Sequence, residues 1–95
     1  MKNKIIQLIK FTLEKINSEI IKEDQSANTY GIEFITQKSK REIIAFLFLA
    51  LSSELANFEF TVDKRTISGK NNELEVECTV FGRDSNYIEI TFKEK

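Results

Sequence analysis

Ser39-Lys40-Arg41-Glu42-Ile43-Ile44-Ala45-Phe46-Leu47-Phe48-Leu49-Ala50-Leu51 decides the fold. Its last nine residues are apolar without interruption, which occurs nowhere else in the chain. Such a run suits a buried strand or a buried helix equally well by periodicity. The four residues before it separate the two. Ser39 and Glu42 stand at capping-box spacing, in which the serine side chain takes a backbone N–H of the first turn and the glutamate reaches back to the cap. The spacing predicts a helix over 39–56. The run is far shorter than the ~20 residues that span a bilayer, so it reads as core.

The helix has two readable sides. Ile43, Ile44, Leu47 and Leu51 form a broad apolar side that calls for a sheet beneath it. Ala45, Ser52 and Ala56 form a narrow small-residue strip nearly opposite, bordered by Leu49, which calls for the other helix or a second copy of the chain. The period is also helical upstream. Ile5, Ile9, Leu13, Ile16 and Ile20 share a stripe about 80° wide, predicting a helix over 3–23, with Asn3 as its cap. Phe11 falls on the far side of that helix and joins Ala45, Ser52 and Ala56 as a candidate dimer contact.

Residues 23–28 are loop chemistry. Tyr30, Ile32 and Phe34 alternate with Gly31, Glu33 and Ile35 in a short strand. From residue 57 onward the period is two. Phe58, Phe60 and Val62 share a face; Lys64 and Arg65 shift the phase before Ile67, which predicts a bulge. Ser68 to Asn72 reads as a turn. Leu74, Val76, Cys78 and Val80 point inward, Gly82 to Asn86 reads as a second turn, and Ile88, Ile90 and Phe92 point inward again. The expected fold is α+β, one domain over 1–95, in the order α-β-α-β-β-β. Two helices pack on one face of a mostly antiparallel sheet that ends in a three-strand meander.

Composition narrows the chemistry. The chain has 95 residues, a net charge of −1, no histidine, no proline and one cysteine. Without histidine, the usual general base near neutral pH and the commonest zinc ligand are missing. Cys78 is in phase with core residues and has no basic partner in view, so it reads as a small hydrophobe. A lone cysteine excludes an intramolecular disulfide. The first residues carry no signal-peptide pattern. These features predict a cytoplasmic protein with no catalytic residues, no cofactor and no metal.

The uncovered face of the predicted sheet is the part with a function to offer. It collects Glu59, Asp63, Glu75, Glu77 and Glu89, with the aromatics Phe81 and Tyr87 and only Lys93 in opposition. Like charges on neighbouring strands cost stability, so their clustering points to docking on a protein with a basic surface. That pattern fits small inhibitors and immunity proteins, including those of phages and mobile elements that block a nucleic-acid enzyme. Two other readings stand beside it. One is a homodimeric assembly module using Phe11, Ala45, Ser52 and Ala56. The other is an accessory nucleic-acid-binding domain using Lys38, Lys40, Arg41, Lys64 and Arg65. The weak overall charge, and aromatics that sit among carboxylates rather than among cations, argue against nucleic acid.

Overall fold

The computed structural model describes residues 1–82 and 86–95. The element order is α1 (Lys2–Lys15), β1 (Glu19–Gln25), β2 (Thr29–Ile35), α2 (Lys40–Glu54), β3 (Glu59–Asp63), β4 (Thr66–Lys70), β5 (Leu74–Gly82) and β6 (Asn86–Glu94). All six strands join one antiparallel sheet in the order β1-β2-β6-β5-β4-β3. Both helices lie on one face of it, so the α+β class holds. The order of elements is richer by two strands than expected.

α2 begins where the capping box placed it. The Ser39 Oγ accepts from the Glu42 N–H at 3.2 Å, and the Glu42 carboxylate accepts from the Ser39 N–H at 3.0 Å. Those bonds hold the Glu42 carboxyl below its ordinary pKa, the Ser39 backbone contributing most. Ile43, Ile44, Leu47 and Leu51 are all buried over the sheet.

α1 stops at Lys15, eight residues before the predicted end at 23. The Asn17 N–H donates to the Glu14 carbonyl at 3.0 Å, and the Ser18 N–H to the Leu13 carbonyl at 2.9 Å. Asn17 sits at φ 62°. This is a Schellman motif with asparagine in the left-handed position. Ile16 and Ile20 continue the apolar stripe in number only, since the chain reverses between them. The Ser18 hydroxyl then bonds the Thr36 hydroxyl at 2.8 Å, pinning the start of β1 beside the end of β2.

β1 is a strand where a helix was expected. Ile20 sits opposite Phe34 and packs against the core, and a bulge between Ile20 and Lys22 shifts the register. Beyond it, Glu23 falls opposite Ile32 on the helix-covered face. There the Tyr30 hydroxyl donates to its carboxylate, and Lys10 of α1 pairs with it at 2.9 Å. The Tyr30 bond and then Lys10 lower the Glu23 pKa, while the same bond pushes Tyr30 up to about 12.

The C-terminal part is a four-strand meander, β3 to β6, in place of three strands. Lys64 and Arg65 form a two-residue turn between paired strands, closed by Asp63 opposite Thr66, and not a bulge within one strand. Ser68, Gly69 and Lys70 belong to β4. The turn follows them, where the Asn71 side-chain oxygen accepts from the Glu73 and Leu74 N–H groups at 2.9 and 2.8 Å. Gly69 serves packing and not a turn: the ring of Phe60 lies where its Cβ would be. Of the turn expected over Gly82 to Asn86, Arg83, Asp84 and Ser85 lie outside the described residues.

The core is one cluster drawn from both helices and from β2, β4, β5 and β6, with Phe34, Ile43, Leu47, Ile88 and Ile90 among its fully buried members and Phe60 of β3 packed against it. Cys78 is buried within it, and burial pushes its thiol up to about 12. The topology has an approximate two-fold logic. α1-β1-β2 and α2-β3-β4 are each a helix followed by a hairpin, and they flank the central β5-β6 hairpin from opposite sides. No helix among the described residues is long and apolar enough to cross a membrane.

Candidate protein-docking face

The register decides which side chains share the uncovered face. In an antiparallel ladder directly opposed residues point the same way and alternate residues point to opposite faces. The core takes Ile32, Phe34, Ile67, Val76, Cys78, Ile88 and Ile90, so the residues between them are left outside.

Three rows cross this open face. Lys22, Glu33, Tyr87 and Phe81 lie opposite one another on β1, β2, β6 and β5. Asp24, Gly31, Glu89, Thr79, Thr66 and Asp63 run across the whole sheet. Lys93, Glu75, Lys70 and Glu59 close the far end. Glu77 stands between the last two rows, opposite Thr91 and Ser68.

All seven residues expected at the site, Glu59, Asp63, Glu75, Glu77, Phe81, Tyr87 and Glu89, therefore stand on one face. Their environments differ. Glu75 lies between Lys93 and Lys70, and Glu59 lies beside Lys70. Opposite charges across a strand pair favour each other, so that row is close to self-neutralised. Glu89 has only Gly31 and Thr79 as direct neighbours, and Glu77 only Thr91 and Ser68. Glu33 is opposed by Lys22, so the uncompensated charge is concentrated on Glu89 and Glu77, over β6 and the middle of β5.

The first hairpin adds to it. Glu33 joins the face because β2 pairs with β6, and Asp24 and Glu19 arrive with β1. Glu19 was hidden by the helical reading of residues 3–23, and Asp24 by the loop reading of residues 23–28, of which 23–25 are strand. Asn17, a favoured left-handed residue three positions before the β-branched pair Ile20-Ile21, was the signal that could have exposed them.

The aromatics lie together at the edge of this acidic region. Phe81 and Tyr87 are opposed, with ring centroids 6.4 Å apart and an interplanar angle of 36°. Phe81 keeps 42% of its surface exposed, and Ile35, at the same end of neighbouring β2, keeps 55%. Tyr87 leans over Gly31, where any side chain would collide with its ring, and its hydroxyl donates to Asp24 at 3.4 Å. Partial burial, then the Asp24 and Glu89 charges, raise the Tyr87 pKa. The phenol is therefore neutral at physiological pH and keeps its proton as a donor. A second surface concavity, about 560 Å³, lies over the Lys70, Glu75 and Glu77 side of the face.

The helix layer carries the alternative site. Ala45, Ser52 and Ala56 are exposed, so no element among the described residues, α1 included, covers the strip. Phe11 is 56% exposed, with the Lys15 ammonium 5.5 Å from its ring centre. Phe46 and Leu49 are exposed as well.

The basic residues do not scatter as turn decoration. Lys40 and Arg41 of α2 and Lys64 and Arg65 of the β3–β4 turn converge on one groove of about 440 Å³. Lys38 is not among its walls. No family model matches the chain, and neither a curated protein nor a solved structure matches it.

Proposed function

We propose that the protein is a non-catalytic binding module that docks on a basic protein through the open face of its sheet. The observation that carries the reading is the half-exposed Phe81–Tyr87 pair set beside Glu89 and Asp24, which face no cation across their described strand pairs, and beside Glu33, which Lys22 opposes. Protein interfaces concentrate their binding energy in a few central aromatic residues inside a polar rim. Surrounding charge raises the encounter rate and selects partners of opposite sign. The flat sheet would act by covering its partner's surface, the mode of inhibitors and immunity proteins, including those of phages and mobile elements. The partner-binding set is weighted toward Phe81, Tyr87, Glu89, Glu77 and Glu33, with Glu59, Asp63 and Glu75 at its rim.

The test is capture of the partner by the tagged protein, followed by measurement of affinity with purified components. Phe81→Ala and the pair Glu33→Lys with Glu89→Lys should each weaken binding about tenfold or more. Leu49→Asp, on the helix layer, should leave it unchanged. Undiminished binding by the charge-reversed protein at low salt overturns the reading.

A second reading, homodimerisation through the helix layer, is favoured by the exposure of Phe11, Phe46 and Leu49 on adjacent antiparallel helices. Sedimentation over a range of concentrations decides it, since a monomer at high concentration removes it.

A further inference from the structure

The basic groove lies on the helix-covered side of one sheet edge, and its Lys64 and Arg65 also border a concavity of the open face lined by Asp63 and Glu77. Lys40 and Arg41 form one wall, Lys64 and Arg65 the other, and Phe48 and Val62 are among the apolar residues between them. Among the described residues no carboxylate lines it. In a chain with a net charge of −1, four cations around an uncharged floor constitute a local field of the opposite sign to the rest of the surface.

The groove runs beside β3, which among the described residues is an edge strand with no partner on its outer side. The two-residue turn makes Asp63–Thr66 a hydrogen-bonded pair, and such pairs alternate along an antiparallel ladder. The N–H and C=O groups of Phe60 and Val62 therefore point away from β4. Val62 also turns its side chain toward the groove, and is 43% exposed. The other edge, β1, is blunted by its bulge and by Lys22, Glu23 and Asp24, the usual defences against strand addition. β3 shows no register break.

We propose that β3 and the adjoining groove form a second binding site, which accepts an extended acidic peptide segment as a seventh strand. Its backbone pairs with Phe60 and Val62. On its helix-covered side, apolar side chains rest on Phe48 and Val62, and carboxylates at other positions of that same face meet Lys40, Arg41, Lys64 and Arg65. Strand addition supplies main-chain hydrogen bonds, while side-chain pockets supply selection. Charge complementarity selects an acidic occupant. The open backbone edge favours a peptide over nucleic acid, which has no matching ladder of donors and acceptors. Phe48, half-buried, is the one aromatic lining the groove.

The probe is a short synthetic peptide whose every second position carries glutamate and valine in turn, with threonine between them, blocked at both ends and added to the isotopically labelled full chain. Amide resonances over 40–48 and 59–65 should shift. Hydrogen exchange at Phe60 and Val62 should slow about tenfold or more, because free edge amides become bonded. Lys64→Glu with Arg65→Glu, both exposed turn positions, should weaken binding about tenfold or more with the spectrum otherwise intact. Lys40→Glu with Arg41→Glu provides an independent pair should the turn variant misfold. Equal binding of a lysine–valine peptide overturns the proposal. So does binding without protection of Phe60 and Val62, or tighter binding of oligothymidylate of matched charge.

Discussion

The two helix–hairpin units, α1-β1-β2 and α2-β3-β4, occupy equivalent places in the sheet and are secured at opposite ends of their helices. α2 is fixed at its start by the Ser39–Glu42 capping box. α1 has no side-chain cap at its start and is fixed at its end by the Schellman turn at Asn17. Their outer strands diverge likewise. β1 is bulged, and its inward Glu23 is held by Tyr30 and Lys10. β3 is regular, and its inward Phe60 stacks on Phe58 at 5.6 Å and fills the space over Gly69. One architecture thus yields a bulged edge at β1 and a regular edge at β3, the latter with a basic groove on its helix side. The difference lies in a few side chains at the helix ends and edge strands, while the shared core is indifferent to it.

The strongest attack on the comparison is through that shared core. Ile9 and Leu47 are both fully buried, one under each helix. Ile9→Ala and Leu47→Ala should each cost about 2–5 kcal/mol, measured by urea unfolding. Both should shift one common transition. Two separable transitions would show the units to be independent and not halves of one core.

The inner strands give the next largest contrast. Gly69 and Gly31 are each overlain by an aromatic ring from a neighbouring strand. Phe60 is half-buried among core residues and yields poorly, so Gly69→Ala should cost about 1–3 kcal/mol. Over Gly31 the obstructing atoms are the outer ends of Tyr87 and Asp24, which can swing into solvent. Gly31→Ala should cost less than about 1 kcal/mol. It should also displace Tyr87 and weaken partner binding on the open face, a split between stability and affinity that Gly69→Ala would not reproduce.

The helix ends follow. Ser39→Ala should cost about 1 kcal/mol through the lost cap. Asn17→Val should cost about 1–2 kcal/mol, because a β-branched residue resists the left-handed conformation that asparagine tolerates. Asn17→Gly should be neutral or mildly stabilising. Thermal unfolding of the three variants checks the order, and a harmless Asn17→Val would refute the account of why α1 stops.

The smallest effects come from Glu23. Its folded pKa lies below the ordinary 4.5, so the stability it contributes is present above that value and is lost as the pH falls through it. Tyr30 is raised from 10 to about 12, so its contribution is complete below pH 10 and is lost as the pH climbs toward 12. Both groups are near the surface and screened. Glu23→Gln should flatten both limbs of a stability–pH curve slightly, and Tyr30→Phe mainly the alkaline one.

The sequence by itself determined α2, its capped start, the inward sets of β5 and β6, and the single face shared by Glu59, Asp63, Glu75, Glu77, Phe81, Tyr87 and Glu89. Those features are local: a cap acts across three residues, and alternation assigns a side chain to a face without reference to other strands. Three features were decided only by the tertiary structure. Residues 19–25 are strand because Ile20 finds Phe34 and Glu23 finds Tyr30 and Lys10, partners outside any local window. Ser68 to Lys70 is strand because a ring 9 residues away in sequence fills the space over Gly69. The charge balance of the open face, and the convergence of Lys40 and Arg41 with Lys64 and Arg65, depend on which strands become neighbours. Lateral pairing, unlike periodicity, is fixed by long-range packing.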